Sequence, residues 1–120
     1  MAEHNELGKQ GEEIATKYLR SKGFVVLERN WRFGRNEVDI IASDNTFLVI
    51  VEVKTRSSAA FGEPEIFVTR QKQKILIRAA NVYINWKNID LEARFDIIAI
   101  TITNTRAKVK HIRDAFYPTL

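Results

Sequence analysis

The chain has 120 residues, 45% hydrophobic and 28% charged, enough for one buried core and far from the composition of a disordered segment. It has no cysteine, two distant histidines and a formal charge of +4, which excludes a disulfide framework, argues against zinc and favours a polyanionic partner. No apolar run approaches the roughly 20 residues of a bilayer crossing, and residues 1–6 lack the basic and apolar regions of a signal peptide, so a cytoplasmic location without a membrane partner is expected.

In chain order, Leu7 to Ser21 is predicted as a helix, with Leu7, Gly11, Ile14, Ala15, Tyr18 and Leu19 on one stripe and Gly23 as its stop. Phe24 to Trp31 reads as a strand, Phe33 to Asn36 as a turn, and Glu37 to Ser43 as a second strand. Asp44-Asn45 is a tight-turn signal before a third strand, Thr46 to Thr55. Arg56 to Pro64 has the composition of a mobile loop. A second helix is predicted over Arg70 to Trp86, N-capped by Thr69, with Leu76, Ala79, Ala80, Tyr83 and Trp86 apolar; Trp31, Tyr83 and Trp86 read as core or half-buried. Arg94 to Thr103 is an apolar strand and Lys108 to Arg113 a last edge strand. The order αβββαββ implies one α/β domain over residues 1–120, with a mixed central sheet flanked by helices.

Charge intrudes on two of the apolar strands. In Phe47 to Lys54, period-two geometry puts Glu52 and Lys54 on the face of Leu48 and Ile50. Asp39 interrupts Glu37 to Ala42 in the same way. A charge inside such a run is costly unless it is paired or holds a metal. Antiparallel pairing of the two strands would bring the acids together, where they repel unless a cation neutralises them. Mg²⁺ fits, because it takes hard oxygen ligands and keeps waters and substrate phosphate oxygens in its shell. The alternative is a buried ion pair between Lys54 and either acid, which adds little stability.

A third acid comes from the first helix. At 100° per residue Glu12 borders the apolar stripe beside Gly8 and Ala15, whereas Glu13 faces solvent among Lys9, Lys17 and Arg20. Cations flank the acidic strands, Arg35 and Arg56 among them, and read as phosphate contacts. Thr69, Arg70, Gln71 and Lys72 open the second helix with free amides and positive charge that suit a phosphate. Phe61 is a candidate for stacking or packing, Asp96 is read as a structural partner of Arg94, and His111 carries no signal.

Asp39, then Glu52-Val53-Lys54, with Glu12 on a preceding helix, resembles the PD-(D/E)XK superfamily of restriction endonucleases and archaeal Holliday-junction resolvases, whose core is αβββαβ. More closely, Gly11-Glu12, Arg29-Asn30, Glu37-Val38-Asp39, Val51 to Lys54, Phe61-Gly62, Val68-Thr69, Arg94-Phe95-Asp96 and Ala115-Phe116 resemble the YraN-like family of small bacterial proteins. The resemblance implies a restriction-endonuclease-like α/β fold. It implies Asp39, Glu52 and the Val53 backbone carbonyl as metal ligands, Lys54 as catalytic lysine, and Glu12 acting through a water or second metal. Two positions depart from the patterns: Val38 stands where the superfamily has proline, and Asn36 where the family usually has glycine.

The sequence is therefore read as a Mg²⁺-dependent endonuclease, with Mn²⁺ as a substitute and no zinc or organic cofactor. Its expected partner is DNA, branched or damaged forms included, and a homodimer is compatible with cutting two strands. The alternative is a nucleic-acid-binding module that keeps the fold without turnover.

Overall fold

The computed structural model describes residues 2–57 and 67–118, with side chains from residue 6 onward. Helix α1 (Ala2–Ser21) is followed by strands β1 (Val25–Phe33), β2 (Asn36–Ser43) and β3 (Phe47–Ser57), helix α2 (Arg70–Lys87), and strands β4 (Glu92–Ile102) and β5 (Ala107–Phe116). The predicted order αβββαββ is what forms. Phe61, Gly62 and the rest of the predicted loop from residue 58 to Pro64 lie outside the described residues.

The five strands form one sheet in the order β1-β2-β3-β4-β5, with only β3 and β4 parallel. Parallel neighbours need a crossover, and α2 supplies it. The apolar runs explain the rest. Leu48, Val49, Ile50 and Val51 are all buried because each face of β3 has a cover. On one face Val38, Ile41, Leu48, Ile50, Phe95 and Ile97 pack with Leu76, Ala79, Ala80 and Tyr83 of α2. On the other, Ile40, Ala42, Val49, Val51, Ile98 and Ile100 pack with Ala15 and Leu19 of α1. Among the described residues no helix is long and apolar enough to cross a membrane.

Boundaries differ from the sequence reading in physical detail. Helix α1 starts five residues early, because apolar periodicity, the only signal available, begins at Leu7. Arg56 and Ser57 continue β3 instead of opening a loop, since Thr101 and Ile102 of β4 offer them backbone partners. Trp86 is 61% exposed, not core; Trp31 is half-buried and Tyr83 buried. The helix stop at Gly23 holds, with φ +91 and the Phe24 N–H donating to the Leu19 carbonyl at 3.0 Å.

One glycine sets how closely α1 approaches the sheet. A Cβ at Gly11 would come within 2.8 Å of Thr55 Cβ and Cγ2, whereas one at Gly8 would meet nothing within 4 Å. Gly11→Ala should therefore destabilise the protein by about 1–3 kcal/mol through overpacking. Gly8→Ala should stabilise it by roughly 0.5–1 kcal/mol by favouring helix. Urea unfolding of both variants checks the contrast, and equal effects would contradict the contact.

Candidate active site at a fork in the sheet

Backbone pairing between β2 and β3 runs only from Ser43↔Leu48 to Ile40↔Val51. Beyond it β2 stays with β1 as far as Asn36↔Phe33, while β3 stays with β4 as far as Ser57↔Ile102. The sheet forks there, and Asp39 and Glu52 are the first residues on its two arms. The Val53 N–H, left without a β2 partner, donates to Asp39 Oδ2 at 2.8 Å. A carboxylate thus replaces the missing ladder bond. In a strand the N–H and C=O of one residue turn toward the same neighbour, so the Val53 carbonyl shares this edge. Glu52 and Lys54 continue the period of Leu48 and Ile50, the face toward α2.

Glu12 enters from α1 and is influenced by a residue of β1. Asn30 lies between the pairs Arg29↔Ile40 and Trp31↔Val38, opposite Asp39, with φ 52. Asparagine tolerates this left-handed conformation, and its side chain lies where it favours the ionised form of Glu12. Glu12 is half-buried, while Glu13 is exposed and pairs with Arg29 at 3.2 Å, as the helix geometry predicts.

The acids act on one another. Burial pushes the Asp39 carboxyl up to about 7; Glu52 and then Glu12 push the same way, against the Val53 N–H and Lys72. Burial also raises Glu12, opposed by Asn30 and Arg29 and reinforced by Glu37 and Glu52. At Asp39 the neighbouring acids therefore outweigh Lys72. Among the described residues no ion pair joins Lys54 to Asp39 or Glu52, so the ion-pair alternative finds no bond here. The cation that favours ionised Asp39 is Lys72, which the sequence reading assigned only to phosphate contact.

Hard oxygen donors with surplus negative charge fit a divalent cation. Among the described residues no three acidic, histidine or cysteine side chains stand together so that they alone could hold a metal ion. What the fork offers is two carboxylates, a backbone carbonyl edge and Glu12 reaching in, which suits an ion that keeps waters and substrate oxygens.

Topology gathers the predicted phosphate contacts around the same end. The β1–β2 turn carrying exposed Arg35, the end of β3 carrying half-buried Arg56, and the start of α2 all lie toward the open side of the fork. Thr69 caps α2, its Oγ1 accepting from the Lys72 N–H at 3.1 Å; Arg70 and Gln71 are exposed and Lys72 half-buried. Asn30 was not assigned to the site, although Arg29-Asn30 belongs to the family resemblance; its positive φ leaves no local signature.

A second buried acid stands in contrast. Asp96 accepts from Arg94 Nε and Nη2 at 2.9 Å each, from the Asp114 N–H at 3.0 Å, and lies 2.8 Å from His111 Nε2. Tyr18 Oη lies 3.0 Å from His111 Nδ1. Burial would raise the Asp96 carboxyl, but these bonds hold it below its ordinary value. The expected Arg94–Asp96 pairing forms, and His111, silent in sequence, completes it.

A family model described as "Uncharacterised protein family UPF0102" matches residues 11–100, a span that includes Glu12, Asn30, Asp39, Glu52, Lys54 and Lys72. A UPF0102 protein of Flavobacterium psychrophilum is 50% identical over 117 residues, covering 98% of each chain. One from Bacteroides thetaiotaomicron is 49% identical over 120 residues, covering 100% of this chain and 99% of the relative. One from Porphyromonas gingivalis is 41% identical over 118 residues, covering 97% and 87%.

The Asp39 shift has a stability consequence whose sign follows from linkage. With a folded pKa of about 7 against an ordinary value of 3.8, the native state holds this proton more tightly than the unfolded chain. Rising pH between those values therefore removes stability. Without metal, Asp39→Asn should be more stable than wild type by about 2–4 kcal/mol at pH 8, with the gap closing near pH 4. Denaturation in EDTA across that range measures it, and a gap that ignores pH would contradict the shift.

Proposed function

The chain belongs to the UPF0102 family, and from the geometry of the fork we propose that it is a divalent-metal-dependent endonuclease that hydrolyses DNA phosphodiester bonds. The observation that carries this reading is a pair of carboxylates, Asp39 and Glu52, where two strands part, with burial and neighbouring acids raising Asp39 to about 7. A module that only bound nucleic acid would need cations there; grouped acids repel phosphate unless a metal bridges them.

Asp39 and Glu52 would hold the ion, with the Val53 carbonyl beside them and Glu12 acting through a water or a second ion. When bound, Mg²⁺ or Mn²⁺ would neutralise charge on a phosphoryl oxygen and acidify a coordinated water. The residues of the chain do the rest. Val53 orients Asp39 through its N–H. Lys54, on the same strand face as Glu52, would stabilise negative charge on the attacked phosphate or orient the water. Lys72 adds a second cation from α2 and favours ionised Asp39. Arg35, Arg56, Arg70 and Gln71 supply further backbone contacts around the open side. Ion binding must displace the Asp39 proton, so affinity should rise through about pH 7.

The decisive experiment is cleavage of linear, nicked, flapped, single-stranded and four-way-junction DNA with Mg²⁺ or Mn²⁺. Wild type should cut at least one form, and Asp39→Asn and Glu52→Gln should each lose roughly 100-fold or more while still binding it. Retained cutting in either variant would exclude the fork as the site. Independently, metal at a hundred times its Kd should stabilise wild type by about 2.7 kcal/mol and leave Asp39→Asn unchanged. Melting curves with and without metal read this directly. No shift in wild type, together with no cleavage of any form, would leave the binding-module alternative standing.

A further inference from the structure

Helix α2 carries Arg70, Lys72, Lys74, Arg78 and Lys87 and no acidic residue. Lys72 turns to the fork; the others form a separate surface. At four-residue spacing, Arg70, Lys74, Arg78, Val82 and Trp86 fall on one ridge, each step about 6 Å along the helix and 40° around it. All five are exposed, Val82 at 40% and Trp86 at 61%. The ridge begins over the fork end of the sheet and drifts toward β1, the edge strand. The Arg78 guanidinium lies 5.6 Å from the centre of the Phe33 ring. Phe33 stacks on Trp31 at 6.1 Å, Trp31 on Trp86 at 6.3 Å, and Lys87 Nζ lies 4.4 Å from the centre of Trp86. The other flank of Arg70, Lys74 and Arg78 borders an open cleft of about 330 Å³ with no acid among its described lining residues. The acid of β1 on this side, Glu28, is taken up by Tyr83 Oη at 3.0 Å.

A stripe of cations that pairs with no acid among the described residues attracts a polyanion, and a tryptophan exposed at its end would be an unfavourable surface for one whose rings were all hidden. Both features suit a chain with charged backbone and open π-faces. A second copy of this protein fits worse, because apposing two such surfaces would oppose like charges. We infer that the α2 ridge, ending on Trp86 and its β1 neighbours, is a track for single-stranded nucleic acid, with phosphates on Arg70, Lys74 and Arg78 and an unpaired base against Trp86. This rests on the proposed nucleic-acid function and narrows its substrate to strands that are frayed, flapped or unpaired beside the cut.

The test is binding in EDTA, where no metal-dependent cleavage occurs. Labelled 12-nucleotide oligothymidine and oligouridine and a 12-base-pair DNA duplex are titrated by anisotropy, with tryptophan emission followed in parallel. Wild type should bind at least one single strand more tightly than duplex, with quenching of tryptophan; the DNA and RNA arms tell which sugar it accepts. Trp86→Ala should weaken single-strand binding roughly 5- to 100-fold and duplex binding little, while Trp86→Phe keeps most of the affinity. Lys74→Gln should lower the salt slope by about one ion. Binding of this kind without cleavage by wild type would remove the enzyme reading and keep the track. Cleavage with single-strand affinity indifferent to Trp86 would overturn the track and keep the enzyme. Equal affinity for strand and duplex, or a dimer in sedimentation that Trp86→Ala abolishes and oligonucleotide does not compete, would also overturn it.

Discussion

The hydrogen bond from the Val53 N–H to Asp39 Oδ2 is the hinge on which the candidate site turns. Two antiparallel strands that separate leave backbone donors and acceptors on both inner edges, and such groups cannot stay dry and unpaired. At this fork one amide is satisfied by a side chain instead of the next ladder bond. That choice fixes the carboxylate against the backbone of β3, one residue from Glu52, and holds β2 near enough that both acids share a field. An apolar residue at 39 would fit the core pattern but would leave the Val53 amide unanswered.

Bringing Glu12 into that field needs two further concessions in local structure. Gly11 removes the side chain that would collide with Thr55, so α1 can lie against the edge of β3. Asn30 adopts a positive φ that interrupts the regular run of β1 and sets its side chain where it favours ionised Glu12. Neither feature improves the core; glycine weakens a helix and a left-handed residue disturbs a strand. Both become intelligible as means of placing a third carboxylate beside two others. Local departures from ideal structure gather where chemistry is expected, and here both bring Glu12 within electrostatic reach of Asp39.

Much of this was legible in the sequence, for identifiable reasons. Apolar runs without alternation marked β3 and β4 as buried on both faces, and helical spacing separated Glu12 from Glu13. Acids inside apolar strands singled out Asp39 and Glu52, though not the parting of the strands between them. The unreadable parts depend on tertiary placement. That pairing of β2 with β3 would stop at Ile40 and Val51 is a property of twist and packing, not of either strand alone. Trp86 sits at an ordinary apolar position of α2, yet the helix turns it toward the edge strand, where β1 ends the sheet and leaves it exposed. Lys72 looks like any first-turn cation until α2 is laid over Asp39. His111 sits on an edge strand among lysines and arginines, and only the bend near Phe95 and Asp114 brings it to Asp96.

Asp39 and Asp96 together show why burial by itself does not identify a site. Both interrupt apolar strands, and desolvation raises both carboxyls. Asp96 is answered on every side: a guanidinium in a two-pronged bond, an imidazole and a backbone amide leave it comfortable as an anion. It ties β4 to β5 and, through Tyr18, to α1, while Arg94 extends the tie to Asp44 in the β2–β3 turn at 2.9 Å. Asp39 has one amide and a lysine on its side, and two glutamates against it. A structure that can satisfy one buried aspartate so fully has the means to satisfy another. At the fork it places further acids instead, and the charge left over is what a divalent cation would answer.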